Sequence, residues 1–298
     1  MLREAVASVL AQTYRPVEIV IVDDGSTDDT PSAIAALAAA HAEIRTLRIS
    51  NGGPGTAREA GRQIAEGEFI QYLDSDDLLL PRKFELQVAA LNADPQAGVA
   101  YGSTRYRDAE GNEIDCTWKN ANQRQETILP SFLLARWWDT PTPLYRRSVC
   151  DAAGPWTSLR LEEDWEYDCR VGALGVRLAY VPEYVAEIRD HPDHRLSRGV
   201  ARDAVRLRER ARAHQLIASH AQRAGIPRSA PEMQHFGREL FHLARQCGAA
   251  GLGAESQALF EIARAIAPRW DLQVYALAAR ALGWKRVGKL SMMRERLG

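Results

Sequence analysis

The sequence predicts an α/β fold in which a mainly parallel, Rossmann-like sheet with helices on both faces is followed by a C-terminal α-helical extension. Three observations predict it. Short apolar, β-rich runs alternate with helix-period segments over the first two thirds of the chain. Three acidic loops lie at the carboxyl ends of predicted strands, where open α/β sheets bind ligands. After Gly199 nearly every stretch is Ala-, Leu- and Arg-rich with helical spacing.

Leu2, Val6, Val9 and Leu10 fall at helical spacing, so the chain opens inside an amphipathic helix that ends near Gln12. EIVIV (18–22) is a β-rich run; the acidic turn 23–30 follows, and Pro31 sits at a favoured first helical position. Residues 44–49 read as a strand, NGGPG (51–55) as a loop, 56–66 as a helix and 68–73 as a strand. A helix over 82–93 stops before Asp94-Pro95, and 99–106 with 113–118 flank a DAEGN turn, which predicts a hairpin. Strands at 140–146 and 176–181 surround a helix at 162–173. The C-terminal helices break at Gly225-Ile226-Pro227, at 248–253 and at Pro268, and the last ~65 residues resemble degenerate tetratricopeptide-type hairpins. The expected division is 1–198 and 199–298.

A chain of 298 residues with 46% hydrophobic content buries a full core. With 38 basic and 39 acidic residues the net charge is −1, which gives no overall attraction to nucleic acid. Basic residues concentrate in 201–214 and in the final KRVGKLSMMRERLG, read as solvated helix faces with docking to anionic lipid as the alternative. Cys116, Cys150, Cys169 and Cys247 show no CxxC spacing and read as reduced structural thiols. No apolar run approaches the ~20 residues a membrane span needs, and no signal-peptide pattern opens the chain. The expectation is a cytoplasmic protein, at most peripheral at the inner face of the membrane.

FIQYLDSDDLLLP (69–81) runs an apolar strand into Asp74, Asp76 and Asp77. Carboxylates crowded at a strand end repel one another unless a positive group sits among them. Oxygen-only ligands in this number suit Mn²⁺ or Mg²⁺ completed by water and phosphate, better than Zn²⁺. In VDDGSTDDT (22–30), Asp23 and Asp24 directly after an apolar strand exceed what a helix cap requires. LEEDWEYD (161–168) reads either as a dipole-stabilised helix start or as the source of a catalytic base.

These three motifs in this order, with LREAVASVLAQTYRPVEIVIVDDGSTDDT, GPGTAREAGRQIAEGEFIQYLDSDD and the late RDHPDHRLS, resemble a family 2 glycosyltransferase of the inverting, GT-A type, over about residues 2–197. The resemblance implies the GT-A nucleotide-diphospho-sugar transferase fold and transfer of a sugar from a nucleotide-sugar, UDP-sugar favoured, to a hydroxyl acceptor. Cell-surface polysaccharide or glycoconjugate synthesis is the implied setting. By position, Asp24 contacts the base with Asp23 assisting, and Asn51 and Gly52 lie in a loop near the base. Asp74 and Asp76 form the D-x-D element, Asp76 as metal ligand and Asp74 nearer the ribose or the metal's water. Arg58 approaches the diphosphate, a role its planar fork suits. Asp164 is the general base with Glu163 before it. His191 or His194, after Arg189, is a candidate for the diphosphate or metal. Trp118, Trp137 and Trp138 are either packing or stacking groups for an acceptor sugar.

Two features depart from the family. Its opening apolar strand is absent, so the sheet is expected to lack a central strand and the base pocket one wall. A truncated or misplaced start is the preferred explanation and a catalytically impaired nucleotide-sugar-binding or scaffold protein the second. Glu59 also stands where relatives commonly carry asparagine. A nucleotidyltransferase would need a Gly-rich phosphate loop with a basic residue near the N-terminus, and the sequence has none.

Overall fold

The computed structural model describes residues 1–115, 119, 121–190 and 203–294. The chain divides into two compact units: Met1–Ile128 with Arg136–Ser158 and the segment beginning at Leu174, and Leu129–Ala135 with Leu159–Ala173 and the C-terminal helices.

The first unit opens with α1 (Leu2–Leu10), whose Val6 shares one hydrophobic core with Ile19 and Ile21 of β1 (Ile19–Asp23), Ile34 and Leu37 of α2 (Thr30–Ala40) and Ile44 of β2 (Ile44–Arg48). α3 (Pro54–Ile64) begins with proline in its first turn, where a missing N–H costs nothing. β3 (Phe69–Ile70), β4 (Leu78–Leu79), α4 (Lys83–Ala93), β5 (Ala97–Arg107), β6 (Leu144–Arg146), α5 (Arg147–Ala153) and β7 (Arg177–Arg189) complete the unit. A second core joins Leu79, Phe84, Val88, Leu91, Ala97 and Leu144.

β1 and β2 pair in parallel, from Ile19 opposite Ile44 to Asp23 opposite Arg48. The other five strands run in the order β3-β6-β5-β7-β4, with β5 and β7 parallel and the remaining pairs antiparallel. Among the described residues the strands thus form two sheets instead of one. An apolar groove of about 650 Å³ opens where α1, β1, α3 and the residues around β3 face one another, lined by Val6, Val20, Val22, Ala57, Ile70 and Tyr72 among others.

Of the expected hairpin between 99–106 and 113–118, residues 116–118 lie outside the described residues; among those described, one bridge, Arg107 opposite Glu113, closes the turn Asp108–Asn112. β5 instead spends its edges on β6 and β7, which bury far more apolar surface than a solvent-side hairpin. β7 runs well past the expected end at Val181, because Pro182 falls where the register with β5 shifts between Tyr101 and Ser103. Such an irregularity accommodates a residue without an N–H. β4 was not expected.

In the second unit, α6 (Glu163–Gly172) packs on α7 (Ala204–Arg223), and α7 on α8 (Pro231–Ala249) and α9 (Gly253–Ile266). α10 (Trp270–Leu282) and α11 (Trp284–Arg294) follow. The breaks at 225–227, 248–253 and Pro268 fall as expected, with Gly225 and Gly251 at positive φ; a further break at Gly283, also at positive φ, separates α10 from α11. Cys150, Cys169 and Cys247 are buried; Cys116 lies outside the described residues.

Candidate functional site

The first unit gathers Asp23, Asp24, Asn51, Arg58, Asp74 and Asp76 through a chain of short contacts. β1 ends in the two carboxylates, and Gly25, at φ +73°, turns the chain so closely onto the next loop that a Cβ there would lie 2.9 Å from the Asn51 nitrogen. The Asp24 carboxylate accepts the backbone N–H groups of Gly52 at 2.7 Å and Gly53 at 2.8 Å, and its carbonyl accepts the Asn51 amide at 3.1 Å. Both Asp24 oxygens therefore hold the loop that starts α3.

Asp23 differs. Its Oδ1 accepts the Ser26 N–H at 2.8 Å, whereas buried Oδ2 lies 3.2 Å from the Arg48 guanidinium and receives no hydrogen bond among the described residues. Burial works to raise this carboxyl; the Ser26 hydrogen bonds and the Arg48 charge outweigh it and hold it below the usual carboxylate range. A charged acceptor with an open lone pair thus stands at the carboxyl end of β1.

One turn into α3, Arg58 donates to Asp74 Oδ1 at 2.8 Å and lies over the Trp156 ring, 4.9 Å from its centroid. Trp156 packs edge-on against Tyr72, and its backbone N–H donates to Glu59 at 3.2 Å. Glu59 is buried, accepts both Arg62 Nε and Nη2 at 3.0 and 2.8 Å and the Gln63 amide at 3.1 Å, and is kept below the ordinary carboxylate range against the effect of burial. The unusual residue at this position therefore anchors the tryptophan on which Arg58 rests. Sequence reasoning missed Trp156, which lies almost a hundred residues away in the chain and outside any motif.

Asp74 and Asp77 close a turn, with the Asp77 N–H on the Asp74 carbonyl at 3.2 Å. Arg189, at the end of β7, donates to the Asp76 carbonyl at 2.9 Å and pairs with Glu4 at 2.7 Å. The arginine before the late histidines is therefore fastened to the D-x-D turn; His191 and His194, like Trp118, lie outside the described residues. Among the described residues no three His, Cys, Asp or Glu side chains converge as a closed cage. Two carboxylates on one turn beside an arginine nonetheless fit an open Mg²⁺ or Mn²⁺ site completed by water and phosphate oxygens.

Asp164 and Glu163 open α6, in the second unit. The Asp164 carboxylate accepts the Trp165 N–H at 2.7 Å, and Glu163 is buried. Preceding them, Glu162 adopts φ 58°, the single positive φ outside glycine among the described residues. It is held there by Arg210 at 2.8 Å and His214 at 3.0 Å, so α7 fixes the entry to the acidic helix. Trp137 and Trp138 are both buried, ringed with Tyr101 at 5.2 and 5.5 Å between centroids, so they pack the core and present no face to an acceptor.

Carboxylates at the ends of strands beside an arginine, on an α/β scaffold, lie where open α/β sheets bind ligands. Residues 1–150 match Glycosyl transferase family 2, and the chain belongs to that family. An uncharacterized glycosyltransferase of Rickettsia conorii is 38% identical over 114 residues, 38% of this chain and 19% of the relative. A Nostoc counterpart is 34% identical over 159 residues, 52% of this chain and 49% of the relative. Escherichia coli chondroitin synthase is 38% identical over 109 residues, 37% of this chain and 16% of the relative. The matches thus span less than half the length of each of these curated relatives. Among solved structures, S. aureus TarS 1-349 in complex with UDP aligns with a TM-score of 0.67 at 20% identity, covering 99% of this chain and 88% of that one. The mannosyltransferase PcManGT from Pyrobaculum calidifontis, in complex with GDP-Man and Mn²⁺, aligns at 0.53 and 18%, covering 99% and 83%. These likenesses show the GT-A fold.

Proposed function

We propose that this chain carries out metal-dependent, inverting transfer of a sugar from a nucleotide-sugar, UDP-sugar favoured, to a hydroxyl acceptor in cell-surface polysaccharide or glycoconjugate synthesis. The observation that carries the reading is Arg58, braced by Trp156 and paired with Asp74 next to Asp76. Structures of similar fold hold UDP or GDP-Man with Mn²⁺, which supports a nucleotide-sugar donor.

Asp23, through its open Oδ2, receives an N–H of the base, and Asp24 shapes the loop beside it. This reverses the emphasis that the motif alone suggests. Arg58 turns from Asp74 to the diphosphate, where its fork matches the phosphate oxygens. Asp74 and Asp76 would hold a divalent cation, which when bound would supply positive charge against the diphosphate. Asp164 takes the acceptor proton as the acceptor oxygen bonds C1 and the C1–O bond to phosphate breaks. A hydroxyl is too weak an acid to attack unaided at neutral pH. Attack from the side opposite the leaving group inverts C1.

Asp164→Asn should lower transfer by about 10²–10⁴-fold while metal-dependent nucleotide binding stays close to the parent's. Loss of both together would remove Asp164 as base. Asp76→Ala should weaken Mn²⁺-dependent nucleotide binding, and unchanged metal dependence would move the metal elsewhere. The break between the two sheets favours a second reading, a catalytically impaired nucleotide-sugar-binding or scaffold protein; metal-dependent turnover by the parent chain would eliminate it.

A further inference from the structure

α10 has two apolar faces. Leu272, Tyr275 and Ala279 face the interior, as a packed amphipathic helix requires. Trp270, Val274 and Leu277, with Ala281, recur at i, i+4, i+7 and i+11 on the opposite side, and the three large ones are 77%, 56% and 64% exposed. Isolated exposed apolar side chains are ordinary, but a four-residue stripe headed by an almost bare tryptophan marks an interaction surface. The adjoining α11 exposes Lys285, Arg286 and Lys289 together with Leu290 and Met293.

Charge decides the occupant. Over residues 269–293, five basic residues stand against one acidic one, in a chain whose net charge is −1. Of these, Arg269 is paired with Asp271. Such a surface repels a second copy of itself, and a nucleic acid offers nothing to cover the apolar stripe. An anionic bilayer surface satisfies both halves: Trp, Val and Leu enter the headgroup boundary while lysine and arginine meet the lipid phosphates. No described helix is long and apolar enough to cross the membrane, so the contact is with its surface. We propose that the α10–α11 pair is a docking surface for anionic phospholipid. The proposal goes beyond the glycosyl-transfer reading and does not depend on it.

The test is co-sedimentation of the full chain with vesicles of phosphatidylcholine alone and with vesicles in which phosphatidylglycerol is about a third of the lipid. Binding is expected to the anionic vesicles only, and to fall as salt rises. Trp270→Gln with Leu277→Gln, and separately Lys285→Glu with Lys289→Glu, should each weaken it by at least about tenfold. All four side chains are exposed, and circular dichroism melts matching the parent's confirm that each variant folds. Lipid brominated along its acyl chains should quench the parent's tryptophan fluorescence and quench Trp270→Phe distinctly less. No sedimentation with anionic vesicles, binding indifferent to both variant pairs, or a parent dimer on gel filtration that Leu277→Gln dissociates would each overturn the proposal, the last by assigning the stripe to a second copy.

Discussion

Asp23 and Asp24 are neighbours of the same chemical type with opposite employment. Asp24 spends both oxygens on the N–H groups of Gly52 and Gly53, so Asp24→Ala leaves two backbone donors without their acceptor and should cost about 2 kcal/mol of stability, read from denaturant unfolding. An unchanged midpoint would mean that water replaces the carboxylate at no cost. Glu59 works at one remove: by holding the Trp156 N–H and the Arg62 guanidinium it keeps a ring under Arg58. Glu59→Ala should lower stability by about 2 kcal/mol and also weaken diphosphate binding, whereas a purely structural role would leave the affinity of the remaining folded protein intact. The motif residues were legible in the sequence because strand ends and acidic loops announce themselves locally. The Glu59–Trp156–Arg58 arrangement was not, since it joins positions that only the fold brings together.

Among the elements, those with a clean period and strong punctuation were readable: α1, β1, α2, β2 and the C-terminal helices fall where hydrophobic spacing, Pro31, Gly225 and Pro268 put them. β4 is two leucines between Asp77 and Pro81, too short to carry a period, and β7 hides behind Pro182. The acidic helix α6 has its own electrostatic logic. Glu166, buried in its first turn, bonds His220 of α7 at 2.6 Å and Arg170 at 3.0 Å, and Arg223 in turn contacts His220. Burial alone would raise the Glu166 carboxyl, but the His220 hydrogen bond and the Arg170 charge outweigh it and place it below the ordinary range. The stabilisation is therefore fully present above the unfolded carboxyl value of about 4.3 and is lost as pH falls through the lower folded value. Glu166→Gln should cost about 3 kcal/mol at neutral pH, and the parent's advantage should begin to shrink as pH falls below about 4.3 and be gone once pH is under the lower folded value. A difference that persists in acid would show that hydrogen bonding, not ionisation, supplies the stability.

At the scale of the whole chain, two units divide the residues that the family resemblance assigns to donor and base. The donor motifs belong to the first unit, and Asp164 enters with α6 on the second, braced from α7 through Glu162. Composition could not foretell that division, because α6 is separated from the C-terminal helices by a strand of the other unit. The groove beside β1 adjoins the two-stranded sheet of β1 and β2. The central claim, metal-dependent nucleotide binding by the Asp23, Arg58 and Asp74–Asp76 set, is tested most directly by the melting temperature with UDP, GDP and dTDP, each with Mn²⁺ and with chelator. A ligand that binds only the folded state at a hundredfold excess over its Kd adds about 2.7 kcal/mol, a readable shift. The account predicts a rise with UDP that chelator abolishes; no shift with any of the three nucleotides, with or without Mn²⁺, would contradict it.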